Sequence, residues 1–534
     1  MLMAEAETYR RFRAPPEDGQ TLVDPSRPTL GHVVEQNRTL LATLDYDVQG
    51  RSLAELSASA RRSLVDRAMA YTRSYRDVSA RHQQAMAAGG PVILSGHQPQ
   101  LFHAGVWFKN FVLGSVGEEV GGAAIHLLID SDLCRSASIR VPAGTIAAPR
   151  CENVPFDLAG DDLPYEERSV YDEAIFAGFA GEVRRALETF VADPLVTPLW
   201  SLLPPAVSTS NLGLRIAQAR HRLEATFHND TLEVPQSCVC QLHEFHWFVA
   251  HLLANLPRFQ TAYNDSLAAY RRAHHLRNRA QPVPDLAEVD GWLEAPFWMW
   301  TTKDPHRRPV FARYLGDKIE ISNRRQQSIV LSLSAEGDAA RAVDELAAAA
   351  ERGVKLRTRA LATTLFARLV LGDLFLHGIG GAKYDQVTND IARRFCGFSL
   401  PEFATVSATL RLPIPHATTQ IDSLRRIKHG LRDLQFHPER HVSTNGVAAI
   451  NTAVREKQRA VRTTKTPDNA RARHAAIAAA NAALQPFVEP HRVALLQERE
   501  LLERRQSIDA ILNSREYSFA LFPRERFAPL VAGA

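Results

Sequence analysis

The segment Val92-Ile93-Leu94-Ser95-Gly96-His97 is an apolar run that ends in glycine and polar residues, and a helix-forming segment, residues 105–111, follows it. A second apolar run, residues 123–129, ends in Asp130-Ser131-Asp132. Two such runs with a helical segment between them predict a strand–helix–strand unit. In an open parallel sheet, ligands bind beyond the carboxyl ends of the strands. We therefore expect one crevice to collect five polar residues: His97, Gln98, His103, Asp130 and Asp132.

The composition excludes several classes of protein. The 534 residues are 45% hydrophobic and 23% charged, which is typical of globular proteins and not of fibres or disordered chains. The 63 basic and 59 acidic residues leave a formal net charge of +4, too small an excess to predict nucleic-acid binding. We expect no membrane-spanning helix, because no apolar run approaches about 18 residues. Five cysteines and the lack of a secretory signal pattern favour a cytoplasmic location.

The periodicity of apolar residues divides the chain into five regions and predicts a split α/β core. We expect a helical N-terminal region, two core halves separated by a mainly helical insertion, and a helical C-terminal domain. The N-terminal region is predicted to span residues 1–90, and the two core halves residues 91–155 and 326–415. The insertion between them spans residues 156–325, and the C-terminal domain residues 416–534.

Within these regions, the pattern predicts particular elements. Residues 53–86, 242–277 and 357–371 are each expected to form one helix. Residues 310–315 and 318–322 are expected to pair as a hairpin, since Gly316-Asp317 suits a two-residue turn. Alternating charges around the apolar stripe of residues 493–512 indicate helices that pack as a hairpin or a dimer seam.

A glycine-rich stretch, His377-Gly378-Ile379-Gly380-Gly381, precedes a predicted helix that carries Lys383 and Tyr384 in its first turns. Glycines at a helix N-terminus let backbone N–H groups approach an anion. Lys383 and Arg411, which follows the last predicted strand, would complement a carboxylate or a phosphate. The alternative is a tight turn without a ligand, because the Gly-Lys-Ser/Thr ending of a P-loop is lacking.

The order of these motifs resembles the cysteine-adding enzymes of bacillithiol biosynthesis. That family has a Thr-Gly-Gln-Gln loop, then Leu-Phe, a glycine and a lysine-bearing helix. Here the matching residues are Ser95-Gly96-His97-Gln98, Leu101-Phe102, Gly105 and Lys109. The family's acidic strand end, usually Glu-Asp-His-Asp, matches Asp130-Ser131-Asp132-Leu133. Its Gly-Gly loop and its Ser-Ala-Thr-Leu segment match residues 380–384 and 407–410.

The resemblance implies a Rossmann-like core, similar to that of class I nucleotidyltransferases, and a C-terminal α-helical coiled coil through which the chain forms a homodimer. It implies a ligase-like enzyme that joins an amino acid to an amine acceptor of the amino-sugar type, with ATP or ADP and Mg²⁺ as cofactors. The catalytic residues would be His97, Asp130 and Asp132. The substrate- or nucleotide-binding residues would be Gly96, Gln98, His103, Lys109, Gly378, Gly380, Gly381, Lys383, Tyr384, Ser407 and Arg411.

Three departures from the family's motifs point to a different substrate. His97 replaces a glutamine, the acidic strand end has lost its histidine, and Lys383 stands where the family tends to carry an acidic residue. Two other functions fit the same residues. One is a nucleotide- or sugar-dependent transferase that uses the same crevice, and the other is a non-catalytic dimeric scaffold.

Two further clusters are weaker indications of function. Cys238, Cys240, His243 and His246 could supply four zinc ligands, but their spacing is tighter than in the usual finger, so we expect helix packing there. The aromatic run 297–300 could stack on a base, and we expect instead that it forms a buried strand.

Overall fold

The computed structural model describes residues 9–278, 280–415, 421–443 and 446–534, with the backbone alone described at residues 421 and 422. The first, third and last of the five predicted regions therefore include residues outside the described ranges. The chain divides into two compact units. The core unit comprises the residues up to 141, residues 152–412 and Arg515–Ala534, and the helical unit comprises Pro142–Cys151 and Pro413–Ser514.

The described residues form strands and helices throughout. The strands are β1 (Thr21–Asp24), β2 (Val92–His97), β3 (Ala123–Leu128), β4 (Ser138–Thr145), β5 (Ala148–Pro155), β6 (Leu232–Pro235), β7 (Glu288–Val289), β8 (Trp292–Thr301), β9 (Arg308–Leu315), β10 (Lys318–Ser322), β11 (Ser328–Leu331), β12 (Val354–Thr358), β13 (Leu374–His377) and β14 (Ala404–Ala408). The helices are α1 (Leu30–Thr43), α2 (Leu53–Arg73), α3 (Arg81–Ala87), α4 (Ala104–Glu119), α5 (Glu173–Leu187), α6 (Val196–Ser201), α7 (Leu212–Ala225), α8 (Gln236–Val239), α9 (His243–Ala254), α10 (Leu256–Ala273), α11 (Ala340–Glu351), α12 (Ala360–Phe366), α13 (Ile379–Phe395), α14 (Ile421–Phe436), α15 (Ala448–Arg462), α16 (Ala470–Leu512) and α17 (Ala528–Ala532).

The main sheet of the core unit has the strand order β1-β14-β13-β2-β3-β6. Five of these strands are parallel, and β1 runs antiparallel at the edge beside β14. Counted along the chain, the parallel strands stand in the order 3-2-1-4-5, so the strand order reverses between β2 and β13. The strand–helix–strand prediction is confirmed, because β2 and β3 are adjacent and α4 connects them.

Helices cover both faces of the main sheet. Leu94 and Ile125 belong to one buried apolar cluster with Leu64 of α2. Ala124 faces the other way, since side chains alternate along a strand, and it lies under α4, where a Cβ on Gly117 would come within 2.6 Å of the Ala124 Cβ. Burial on both faces explains why β2 and β3 are almost continuously apolar.

The second sheet of the core unit is antiparallel, with the order β11-β10-β9-β8-β12 and β7 beside β8. The predicted hairpin is confirmed: β9 and β10 pair from Leu315 opposite Lys318, and Gly316 in the turn has a φ of 67°. The aromatic run 297–300 lies in β8, so the predicted strand is also confirmed.

The predicted insertion is wrong in extent. The third parallel strand of the main sheet, β6, lies inside residues 156–325, and the small hairpin is part of the whole second sheet. The helix predicted for residues 357–371 is wrong at its start, because β12 runs to Thr358 and pairs with β8, and α12 begins at Ala360. Pairing with a neighbouring strand outweighs local helix preference there.

Two predicted helices are each divided in the structure. Residues 242–277 form α9 and α10, which meet at Asn255, and Pro257 lies in the first turn of α10, where a missing N–H costs no helical hydrogen bond. Residues 53–86 form α2 and α3, which are separated by residues 74–80. Ser52 caps α2 by accepting a hydrogen bond from the Glu55 N–H at 3.3 Å.

The segment Arg515–Ala534 belongs to the core unit, although the helical unit precedes it in the chain. Phe519 stacks on Trp107 of α4 with the ring centroids 4.4 Å apart, and Phe527 meets the same indole edge-on at 4.6 Å. The Phe519 N–H donates to the Phe102 carbonyl at 2.9 Å. This segment therefore holds the helix that follows β2.

The helical unit is built on α16, against which both α14 and α15 pack. Its small core consists of Ile450, Ala453, Val454 and Leu484. The prediction of an almost wholly helical C-terminal region is confirmed for the described residues. Among these residues, no helix of either unit is both long enough and apolar enough to span a membrane.

Candidate ligand crevice at the carboxyl edge of the main sheet

Lys109 connects α4 to the point at which the strand order reverses. Its ammonium group donates to the Ser95 hydroxyl and to the Gly96 carbonyl, the latter at 3.1 Å. Ser95 in turn donates to the Leu376 carbonyl of β13 at 3.1 Å, so these bonds join β2 and β13. The sequence places Lys109 on the helix that follows β2, and its 1% exposure shows that it is buried under the end of β2.

The charge of Lys109 is poorly compensated. Burial and the charge of the nearby Arg220 together lower the pKa of its ammonium group to about 7, although Glu224 acts in the opposite direction. In the described part of the chain, no carboxylate forms an ion pair with Lys109. A buried cation without an ion-pair partner attracts an anion.

His97 lies at the last position of β2 and is half-buried. Burial, together with the charge of Lys109, lowers its pKa to about 3, so the ring is neutral at physiological pH. Its Nδ1 lies 3.1 Å from the Gln98 carbonyl oxygen, which can only accept, so Nδ1 carries the proton. Nε2 is therefore a hydrogen-bond acceptor, which suits a substrate N–H or O–H group.

His377 ends β13 on the other side of the reversal point. Its Nε2 lies 2.7 Å from Asp385, which also accepts from Arg368 at 2.8 Å. Burial lowers the pKa of His377, although Asp385 opposes that shift. His377 is thus a second oriented imidazole, and sequence analysis assigned it no role because it singled out only the glycines that follow.

The glycine-rich stretch begins α13. Gly378 is the N-terminal cap residue, and no side chain accepts a hydrogen bond there. A Cβ on Gly381 would lie 2.8 Å from His377 Nδ1, so this glycine lets the helix approach the imidazole. Gly378 and Gly380 have open space where a Cβ would point. The first turn of α13 is therefore accessible to a ligand beside the reversal point.

Asp130 and Asp132 follow β3 and take separate partners. Asp130 accepts from the Ser237 N–H at 2.9 Å and from the Ser237 hydroxyl at 2.5 Å. Its pKa is raised to about 7, first by burial and then by the charge of Glu166. Asp132 accepts from Gln98 at 2.8 Å and pairs with Arg307 at 3.0 Å. The two aspartates are therefore held by different groups, Ser237 for Asp130 and Gln98 with Arg307 for Asp132.

The remaining predicted residues have varied surroundings. His103 caps α4, since its Nδ1 accepts from the Gly105 N–H at 3.1 Å. Ser407 is buried, Lys383 and Tyr384 are exposed, and the Arg411 guanidinium donates to the Pro16 carbonyl at 2.7 Å. Gly96, Gln98 and Lys109 lie at the end of β2 or beneath it. The structure thus brings together the β2 and β3 residues, and it shows no contact of Lys383, Tyr384 or Arg411 with them.

The described residues contain no group of three or more His, Cys, Asp or Glu side chains that could hold a metal ion. Cys240 and His246 are buried near α9, and the five cysteines form no disulfide within the described residues. Two features of the protein fit the phosphates of ATP or ADP, namely the Lys109 side chain and the first turn of α13. They supply no carboxylate ligand set for Mg²⁺.

Three residues that line the crevice beside Gln98 were not predicted as site residues. Trp298 of β8 contacts two guanidinium groups, with Arg359 4.2 Å and Arg307 4.7 Å from its ring centroid. Sequence analysis noted only the aromatic run around Trp298. The two arginines follow no local pattern, since they come from the β8–β9 connection and the start of α12.

Comparison with known proteins adds nothing to the class of protein that the fold defines. This chain has a mixed α/β core with a parallel sheet and a helical C-terminal region. The sequence matches no protein-family model, and no curated protein matches it.

Proposed function

We propose that this protein is a ligase-like enzyme that forms a C–N bond between an amino acid and an amine-bearing small molecule, at the reversal point between β2 and β13. The single observation that carries this proposal is the buried Lys109, whose charge has no ion-pair partner in the described chain and which lies near two oriented neutral imidazoles, His97 and His377. The resemblance of the strand-end motifs to cysteine-adding enzymes of bacillithiol biosynthesis supports the same reaction class.

The strand order supports a Rossmann-like core. An order of 3-2-1-4-5 with a ligand crevice at the reversal point is the pattern of doubly wound α/β folds that bind nucleotides. A class I nucleotidyltransferase likeness would add ATP or ADP, whose phosphates suit Lys109 and the first turn of α13. Fold alone does not define function, so the residues in the crevice carry the argument.

Each group has a task in forming a C–N bond. With the carboxyl group activated as a phosphate ester at the expense of ATP, the amine would attack the carboxyl carbon and the C–O bond to the phosphate leaving group would break. The proton of the amine would leave through its hydrogen bond to the unprotonated Nε2 of His97. The carboxyl or phosphate oxygens of the partner gain negative charge, which the ammonium group of Lys109 stabilises. Gln98 and Asp132 provide hydrogen bonds on the side of β3.

The first test replaces Lys109 with methionine, which keeps the length of the side chain and removes its charge. We expect inorganic phosphate, ADP and ATP to raise the melting temperature of the wild-type protein, and this rise to disappear in Lys109→Met. A ligand at 100 times its Kd adds about 2.7 kcal/mol, which a thermal-shift assay detects. Lys318→Met, which removes an exposed lysine of β10, is the matched control and should keep the full response.

The binding of phosphate should depend on pH in a defined direction. Lys109 must be protonated to attract the anion, and its pKa in the unliganded protein is lowered to about 7. Above pH 7 the Kd for phosphate should therefore rise, by up to about tenfold per pH unit. Calorimetry at several pH values measures this. No response to any of the three anions, or equal responses in the wild type and Lys109→Met, would refute the proposal and favour the scaffold interpretation.

A further inference from the structure

A cavity of about 220 Å³ opens beside Gln98, between the carboxyl edge of the main sheet and the second sheet. Liquid water occupies about 30 Å³ per molecule, so the cavity has room for about seven groups of that size. This volume suits a small metabolite and is too small for a nucleotide. The apolar part of the wall consists of Ile129, Tyr263, Val283 and Pro284.

Two guanidinium groups belong to the polar part of the wall. Arg359 and Arg307 lie 4.2 Å and 4.7 Å from the ring centroid of Trp298, which holds both by cation–π contact. Both arginines are largely buried, with 9% and 14% of their side chains exposed. Because their planes are fixed before a ligand arrives, little conformational entropy is lost when an anion binds.

The charges around the cavity favour an anionic ligand. Asp132 is the only carboxylate among the described lining residues, and it offsets one of the two arginines. Arg359 pairs with Glu294 at 2.5 Å, outside the lining. The Nε of Arg359 is buried and has no hydrogen-bond partner among the described residues. A buried donor without a partner costs free energy, and a ligand oxygen would remove that cost.

Asp132 adds a second point of recognition. Gln98, the Leu133 N–H and Arg307 hold its carboxylate at 2.8, 2.9 and 3.0 Å, and 37% of its side chain remains exposed. An exposed, oriented carboxylate accepts a hydrogen bond from a hydroxyl or an ammonium group. The cavity therefore presents donors for a carboxylate and an acceptor for a neighbouring polar group.

We infer that this cavity binds a small organic carboxylate that also carries an amino or a hydroxyl group, with the carboxylate on Arg359 and Arg307 and the second group on Asp132. The inference rests on the proposed function in one respect, since it takes this carboxylate to be the substrate that reacts beside His97. Gln98, which directly follows His97 and lines the cavity, joins the two places.

The experiment is calorimetry on the full-length protein with L-alanine, L-serine, L-lactate, acetate and L-alaninamide. We expect L-lactate or the amino acids to bind, acetate to bind at least tenfold more weakly, and the amide, which lacks a carboxylate, to give no signal. Preference for the amino acids over lactate identifies the second group as an ammonium, and the reverse preference identifies it as a hydroxyl.

Two variants and a control locate the binding. Arg359→Lys keeps the charge beside Glu294 and removes the Nε–H, and Ala360→Leu places bulk at a lining residue that is exposed, so its fold should be kept. Each should weaken binding at least tenfold. Arg313→Lys is the control, since Arg313 lies over Trp292 at 4.6 Å and pairs with Glu320 in the same way, outside the cavity.

Three results would overturn the inference: no binding of any carboxylate at about 10 mM, equal binding of alanine and alaninamide, or binding that both cavity variants leave unchanged. If phosphate binding still depends on Lys109 in that case, the proposed function stands and only the cavity assignment fails. Loss of both responses overturns both.

Discussion

Asp130 has both of its carboxylate oxygens hydrogen-bonded to Ser237, and its pKa is nevertheless raised to about 7. Burial removes the water that would stabilise the charge, and Glu166 adds a second negative charge nearby. Glu166 is itself held by Arg357 through two bonds of 3.0 and 3.2 Å, so it stays in place. Asp130 therefore changes its protonation state near neutral pH.

This raised pKa predicts a pH-dependent effect of Asp130→Asn. The folded protein binds a proton at Asp130 that the unfolded chain has released, so Asp130 lowers the stability of the wild type as the pH rises from about 4 to about 7. Asparagine resembles the protonated acid at all pH values. The melting temperature of the variant minus that of the wild type should therefore be larger at pH 8 than at pH 5.

Melting curves at the two pH values, each compared with wild type, test this prediction. Asp317→Asn, in the exposed turn between β9 and β10, is the matched control and should show no difference between pH 5 and pH 8. A variant of Asp130 that is equally stable relative to the wild type at both pH values would show that the carboxylate stays ionised in the fold.

Sequence could predict which residues end the parallel strands, and it could not predict their partners. An apolar run that stops at His97 or at Asp130 can be recognised in the sequence alone. That Lys109 reaches back to Ser95 depends on where α4 crosses the sheet. That Arg307 and Arg359 both contact Trp298 depends on how the second sheet meets the first. Long-range packing of this kind leaves no local pattern.

At the scale of elements, α4 lies unusually close to β14. A Cβ on Gly105 would come within 2.3 Å of the Ala408 carbonyl oxygen. Only glycine allows the first turn of α4 to approach the strand so closely. This approach places Lys109, one turn further along the helix, under the end of β2.

Gly105→Ala should therefore destabilise the protein by about 1–3 kcal/mol, the usual cost of overpacking a well-packed site. The control is Gly178→Ala in α5, where a Cβ would meet nothing within 4 Å. That substitution should stabilise the protein by about 0.5–1 kcal/mol, because alanine is the better helix former. Urea unfolding of the three proteins gives both values, and a neutral Gly105→Ala would show that α4 has room to move away.

Elements were predictable from the sequence where local pattern and tertiary pairing agree. The sequence pattern of β9 and β10 and the turn between them predict a hairpin, and the same hairpin is present in the second sheet. Residues 354–358 are an example of disagreement, since they continue directly into a helical stretch and become a strand only because β8 offers its edge. The divisions at residues 74–80 and at Asn255 are likewise set by packing, and the apolar spacing continues across both.

At the scale of the whole molecule, the second half of α16 has little cover within the helical unit. Leu501 is 50% exposed, and Ile508, one heptad later, lies on the same side of the helix. Seven-residue spacing of apolar side chains is typical of a helix that pairs with another. A second copy of this chain is the partner that the proposed homodimer requires.

We expect the wild-type protein to sediment as a dimer of the 59.3 kDa chain. Leu501→Glu should shift it to the monomer at the same concentration, because a carboxylate at a helix seam loses its hydration without a partner. Gln506→Glu adds the same charge at an exposed position on another side of α16 and should leave the dimer intact. A wild type that sediments as a monomer at tens of micromolar would contradict the proposed homodimer.

Because the segment Arg515–Ala534 is synthesised late, the core unit cannot complete its packing until that segment has been made. A ribosome completes β2 and α4 at least four hundred residues before Phe519, which covers the indole of Trp107. Until that segment emerges, the side of α4 that carries Trp107 lacks the cover of Phe519 and Phe527. A nascent or prematurely terminated chain therefore exposes a hydrophobic surface to which chaperones and proteases can bind, whereas a chain that has been translated through residue 534 hides it.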